Sequence, residues 1–100
     1  MTSLLVTIVV VPRERFSYTQ QSLSSIYQNT QLSFELVYVD GNSPALVKEY
    51  LTTQAQQRGF ELIRTDYYLY PNQARNMGLS KVKTKYVVFA DNDIELAIAN

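Results

Sequence analysis

Apolar residues run almost without interruption from Leu4 to Val11, in the stretch LLVTIVVV. A strand with one wet face alternates apolar and polar residues. A continuous run suits a strand buried on both faces, as in a parallel sheet. Shorter runs at Phe34–Val39, Phe60–Arg64 and Lys85–Ala90 read as three more interior strands. Helical patterns lie between them. Phe16, Leu23, Ile26 and Tyr27 share one face of a helix over Phe16–Gln28. Ser43 and Pro44 suit the N-cap and first position of a second helix, which ends near Arg58 before Gly59. Asn72 suits the cap of a third, over Asn72–Val82. Gly78 inside it costs about 1 kcal/mol relative to alanine, so a close packing contact is the reason to keep it.

Strands alternating with helices predict βαβ units: an α/β fold with a Rossmann-like, mostly parallel sheet and flanking helices. Right-handed crossovers restrict its topology. In such sheets ligands bind outside the carboxyl ends of the strands, where the strand order reverses. Those ends are Val11-Pro12-Arg13, Asp40-Gly41-Asn42-Ser43, the loop after Arg64, and Asp91-Asn92-Asp93. The chain stops seven residues after Asp93. It therefore reads as one domain over residues 1–100 that is the N-terminal half of a longer one.

Composition narrows the chemistry. With 46% hydrophobic and 18% charged residues the chain is of the folded, globular kind. Lysine plus arginine and aspartate plus glutamate number nine each, so no basic surplus points to nucleic acid or anionic membrane. There is no cysteine and no histidine. That removes disulfides, zincin and zinc-finger sites, and Ser-His-Asp or Cys-His catalysis from these 100 residues. A metal here needs oxygen ligands, which suit magnesium, manganese or calcium. The first apolar run is too short to span a bilayer and lacks a basic n-region. A cytoplasmic protein with no membrane segment in this chain is the expectation.

Three features carry candidate chemistry. The stretch YVVFADND ends a strand on Asp91 and Asp93. Two carboxylates about 4 Å apart repel by about 1 kcal/mol in water and about 4 kcal/mol at an effective dielectric of 20. A divalent cation converts that repulsion into binding, although an acidic turn explains the acids as well. Asp40 ends the second strand in ELVYVDGNSP, where a plain turn is the competing explanation. Arg75, in YPNQARNMGL, falls in the first turn of the third helix, where arginine and backbone N–H groups make a phosphate site. Tyr67, Tyr68 and Tyr70 precede it; packing between layers is the expectation and covering a ligand the alternative. Only three glycines are present, and neither G-x-G-x-x-G nor a Walker A loop occurs.

In order, VTIVVVP, SLSSIYQNT, FELVYVDGNS, NQARNMGL and KYVVFADND resemble the family 2 glycosyltransferases with the GT-A fold, over about Leu5 to Glu95. The resemblance implies metal-dependent binding of a nucleotide-diphosphate sugar for inverting transfer to an acceptor hydroxyl. It implies that Val11, Pro12 and Arg13 hold the base and that Asp40 reads the base or ribose. Arg75, with Asn76 beside it, would lie near the diphosphate sugar. Asp91 and Asp93 would bind ribose and a manganese or magnesium ion, with Asp93 the direct metal ligand. A UDP-sugar is the default donor.

The chain also departs from the family pattern. Gly41 stands where a second acid is common, Arg13-Glu14-Arg15 replaces a Tyr-Asn loop, and YYLYPNQ replaces a glycine-bearing loop. The family's general base lies downstream of D-x-D and is expected beyond Asn100, so no catalytic residue is assigned here and little transfer activity is expected. A non-catalytic nucleotide-binding or interaction module is the alternative, and self-association through an uncovered sheet edge accompanies it. The D-x-D ending is also similar to the nucleophile motif of haloacid-dehalogenase-like phosphatases. Those place the motif on their first strand with Thr or Val soon after, whereas here it follows three strands and precedes Ile94.

Overall fold

The computed structural model describes residues 6–11, 19–29 and 33–91. In chain order these form β1 (Val6–Val11), α1 (Thr19–Asn29), β2 (Phe34–Gly41), α2 (Ala45–Arg58), β3 (Glu61–Thr65), α3 (Pro71–Leu79) and β4 (Tyr86–Asp91). The four strands make one sheet in the order β3-β2-β1-β4, and every pairing is parallel. This is the expected α/β architecture.

The two faces follow from the pleat and the crossover hand. Successive side chains on β1 point to opposite faces. Ile8 and Val10 join Leu36, Tyr38 and Ala90 in one cluster, with Leu23 and Ile26 of α1 and Leu51 of α2. Val9 and Val11 join Val37 and Val39 in the other, with Leu69 and Ala74. The chain steps from β1 to β2 to β3 in one direction, then back across to β4. Right-handed crossovers in opposite directions place their helices on opposite faces. So α1 and α2 cover one side and α3 the other. Burying a valine or leucine fully contributes about 1.5–3 kcal/mol relative to leaving it exposed, and β1 draws that from both faces.

The expected strands are present, each within two residues of its predicted ends, but helix starts differ. Ser43 does not cap α2. Pro44 takes the N-cap position with no side-chain bond; the Ser43 hydroxyl instead donates to Asp40 at 2.6 Å, and its oxygen accepts from Arg64 at 2.9 Å. Nor does Asn72 cap α3, which begins one residue earlier with Pro71 at its first position. Proline suits that place, since it has no N–H to leave unpaired. The Tyr70 N–H donates to Gln73 Oε1 at 3.1 Å. Gly59 ends α2 in the left-handed region, φ 78°, as a helix-terminating glycine should. The tyrosines before α3 do not pack between layers. Tyr67, Tyr68 and Tyr70 are exposed, and Leu69 among them is the buried residue. Phe16 lies outside the described residues.

Near the amino ends of β2 and β3, Arg58 stacks over the Tyr27 ring at 4.3 Å, and Tyr27 lies 5.3 Å from Phe34. Burial pushes the Tyr27 phenol up, only partly offset by the Arg58 charge. Ionisation is then easier after unfolding, so this group's contribution to stability is lost as pH rises beyond about 10.

Gly78 is kept for close packing. A methyl group there would press well inside van der Waals contact with Val9 Cγ1, a buried group on the central strand. Gly78→Ala gains about 1 kcal/mol of helix propensity. It also forces overpacking that costs about 1–3 kcal/mol. We expect a net loss, read as a lower urea midpoint with an unchanged m-value. A midpoint at or above that of the parent would refute the contact's importance.

Candidate functional site

The strand order reverses between β1 and β4, because β2 and β3 lie on the other side of β1. Val11 and Asp91 are register partners across that junction. They stand at the carboxyl ends of their strands, at the switch point where open α/β sheets bind ligands. The Val11 side chain is in the core facing α3, so what it offers a ligand at this edge is backbone. Asp40 is on the adjacent β2, two residues beyond Tyr38, the partner of Val10. Pro12, Arg13 and Asp93 lie outside the described residues.

Asp40 is only 2% exposed, and its carboxylate is well supplied with donors. The Ser43 N–H donates to Oδ1 at 3.3 Å and the Ser43 hydroxyl to Oδ2 at 2.6 Å. Arg64 forms an ion pair with the same Oδ2. The guanidinium also donates to the Ser43 hydroxyl oxygen at 2.9 Å and to the Ser43 carbonyl at 3.0 Å. A buried carboxylate without such partners is strongly unfavourable. Arg64 and Ser43 therefore make Asp40 tolerable inside the fold, and Asp40 in turn fixes the 41–44 turn. Asn42 in that turn adopts φ 67°, a left-handed conformation that asparagine accepts better than most residues.

Gly41 has a steric reason. A Cβ there would lie 2.8 Å from the Leu69 backbone nitrogen and 3.1 Å from Leu69 Cβ. The segment before α3 therefore occupies the space where a second acid would begin. Arg64 had no role in the sequence reading. The signal was present, since acid and base each sit at the carboxyl end of consecutive apolar strands. The register Asp40↔Arg64 makes them neighbours.

Arg75 is the fifth residue of α3, one position past the first turn where it was expected. Its guanidinium donates to Asn72 Oδ1 at 3.1 Å. Because α3 follows β3 directly, its amino-terminal half returns from the carboxyl edge of the sheet. Arg75 thus belongs to the same end of the molecule as Asp40 and Asp91. Asn76 is exposed. Among the described residues no three Asp, Glu, His or Cys side chains gather as a metal-binding group. No helix among them is long and apolar enough to cross a membrane.

A parallel α/β sheet with polar residues collected at its switch point is a frame for binding nucleotides and related ligands. A sequence model described as Glycosyl transferase family 2 matches residues 7–98, and the chain belongs to that family. An uncharacterized glycosyltransferase of Rickettsia bellii (strain RML369-C) is 26% identical over 92 residues, covering 88% of this chain and 13% of that protein. The crystal structure of Staphylococcus aureus TarS 1–349 superposes with a TM-score of 0.74 at 20% identity, over 90% of this chain and 28% of that one. Its complex with UDP-GlcNAc gives 0.75 at 20% identity, over 90% and 27%. The chain thus spans about an eighth of the curated relative and about a quarter of TarS 1–349. Membership in this family displaces the phosphatase-like reading of β4.

The Asp40–Arg64 pair should behave as one unit. Arg64→Met leaves a buried carboxylate uncompensated and should cost about 3 kcal/mol, at the low end for buried pairs because Arg64 is partly exposed. Asp40→Asn should cost about 1–2 kcal/mol through weaker hydrogen bonds. In urea unfolding at pH 7, the double variant should lose at least about 1 kcal/mol less than the two single losses added. Strict additivity would show that the two side chains are not energetically coupled.

Proposed function

We propose that this chain binds a nucleotide-diphosphate sugar across the crevice between β1 and β4, as the donor side of an inverting sugar transfer. The carrying observation is that Val11 and Asp91 are register partners at the switch point of a family 2 glycosyltransferase sheet. Pro12 and Arg13, next to Val11 in the sequence, are assigned to the base. Asp40, buried and bonded to three donors, serves recognition of base and ribose by holding Arg64 and the 41–44 turn in place. Arg75 supplies positive charge for the diphosphate. The TarS structure solved with UDP-GlcNAc makes a UDP-sugar the first donor to test.

The two carboxylates of the D-x-D stretch, Asp91 and Asp93, are assigned to a divalent cation on the family resemblance; Asp40 is left out of that set because Arg64 and Ser43 already engage it. A sparse pair of carboxylates completed by substrate phosphates and water suits manganese or magnesium. When bound, the ion would supply Lewis acidity that draws charge from the leaving diphosphate. No residue among 1–100 is assigned to deprotonating the acceptor hydroxyl, so this reading concerns the donor alone.

Calorimetry with UDP and Mn2+ tests this. Saturable binding is expected with the ion, and at least about tenfold weaker binding without it. Asp91→Asn and Asp93→Asn should each weaken the metal-dependent binding at least about tenfold, and Arg75→Ala should weaken it less. Leu46→Ala, exposed on α2, should change nothing. Binding that ignores both acids and the ion would defeat the metal-site reading. No binding of UDP, GDP or ADP would defeat the nucleotide reading altogether.

A further inference from the structure

The two members of the Asp40–Arg64 pair differ in what they can still offer a ligand. The Asp40 side chain is 2% exposed and the Arg64 side chain 23%. Both Asp40 oxygens accept from inside the fold: Oδ1 from the Ser43 N–H, Oδ2 from the Ser43 hydroxyl and from Arg64. The acid therefore has no open acceptor for a base or a ribose. Arg64 keeps donors in reserve. A guanidinium carries five N–H groups in one rigid plane. Nη1 donates to Asp40 and to the Ser43 hydroxyl oxygen, and Nη2 donates to the Ser43 carbonyl. Nη1 and Nη2 thus grip the two Ser43 oxygens together, which fills the edge between them. The edge between Nε and Nη2 is left, with two parallel N–H groups that have no partner among the described residues. Although Arg64 belongs to β3, these bonds bring its guanidinium to the end of β2. That is one strand spacing, about 5 Å, from the end of β1, and two spacings, about 10 Å, from the end of β4.

We infer that Arg64, not Asp40, selects the nucleobase, and that it selects a base with two adjacent acceptors: cytosine through O2 and N3, or guanine through O6 and N7. Such selection presupposes the donor-binding reading proposed above. A fork of two parallel N–H donors matches paired acceptors, which is why arginine is bidentate on guanine. Uracil sets its N3–H donor between its two carbonyls, so the fork meets a donor there. Adenine has no two acceptors side by side. An open carboxylate would have the opposite preference, because it can accept from the uracil N3–H. Asp40 has lost that capacity to its own partners and is a positioning residue: it holds the guanidinium at the end of β2 without touching the ligand.

Calorimetry with UDP, ADP, CDP and GDP, each with Mn2+, reads the polarity of the site. CDP or GDP should bind at least about tenfold tighter than both UDP and ADP, the discrimination expected of one bidentate pair. Analogues with C–H in place of guanine N7 or of cytosine N3 tell the two bases apart. The analogue of the preferred nucleotide should bind at least about tenfold more weakly than the nucleotide itself. Arg64→Lys keeps a cation beside Asp40 but has no planar fork. In that variant the four affinities should fall within about threefold of one another. Pyrophosphate with Mn2+, which has no base, should bind the variant as it binds the parent chain. Where Arg64→Lys does not fold, the C–H analogues decide on the parent chain alone. UDP binding tighter than both CDP and GDP would overturn the inference and leave donor binding standing. So would an unweakened C–H analogue, or a base preference that survives in Arg64→Lys. No binding of any of the four nucleotides would overturn the donor-binding reading, and base selection with it.

Discussion

The fold hangs on the two-sided burial of β1. Val9 and Val10 lose all solvent contact, one on each face, and the strand has a parallel neighbour on both sides. A central strand of this kind tolerates no polar side chain that lacks a partner. Thr7 meets the requirement by bonding Thr84 at 2.7 Å, just before β4. Gly78 serves the burial itself, by letting α3 close onto Val9 without a side chain between them. With β1 fixed, crossover handedness assigns each helix a face, and the carboxyl ends of all four strands collect at one edge.

At that edge the protein solves an electrostatic problem inside itself. An acid at the end of β2 is buried deeply enough to need neutralising, and the neighbouring strand supplies the arginine. The result is a rigid, nearly neutral corner beside the switch point. Arg75, on the amino-terminal half of α3, adds a basic side chain to the same end of the molecule.

The layer architecture and strands were legible because continuous apolar runs have few explanations other than burial on both faces. The same runs located the strand ends, and with them Val11, Asp40 and Asp91. Caps were harder to read. Ser43 is a chemically adequate cap, but a cap's oxygen must accept a backbone N–H, and here the Arg64 guanidinium donates to that oxygen while the hydroxyl donates to Asp40. Tyrosine is ambiguous for a related reason: its ring favours burial and its hydroxyl favours water. Sequence alone did not distinguish Leu69 as the buried member of its group. Arg64 was invisible in a different sense. Its meaning depends on a register between strands separated by a whole helix, which no local pattern encodes.

The contact between Gly41 and Leu69 couples two segments far apart in the sequence. The space where a second acid would begin beside Asp40 is filled by the chain leading into α3. A side chain at position 41 would collide with the Leu69 backbone unless that segment moved as well. The YYLYPNQ loop and the glycine therefore form one steric unit: a two-acid turn after β2 requires a different path into α3, and neither change is accommodated without the other.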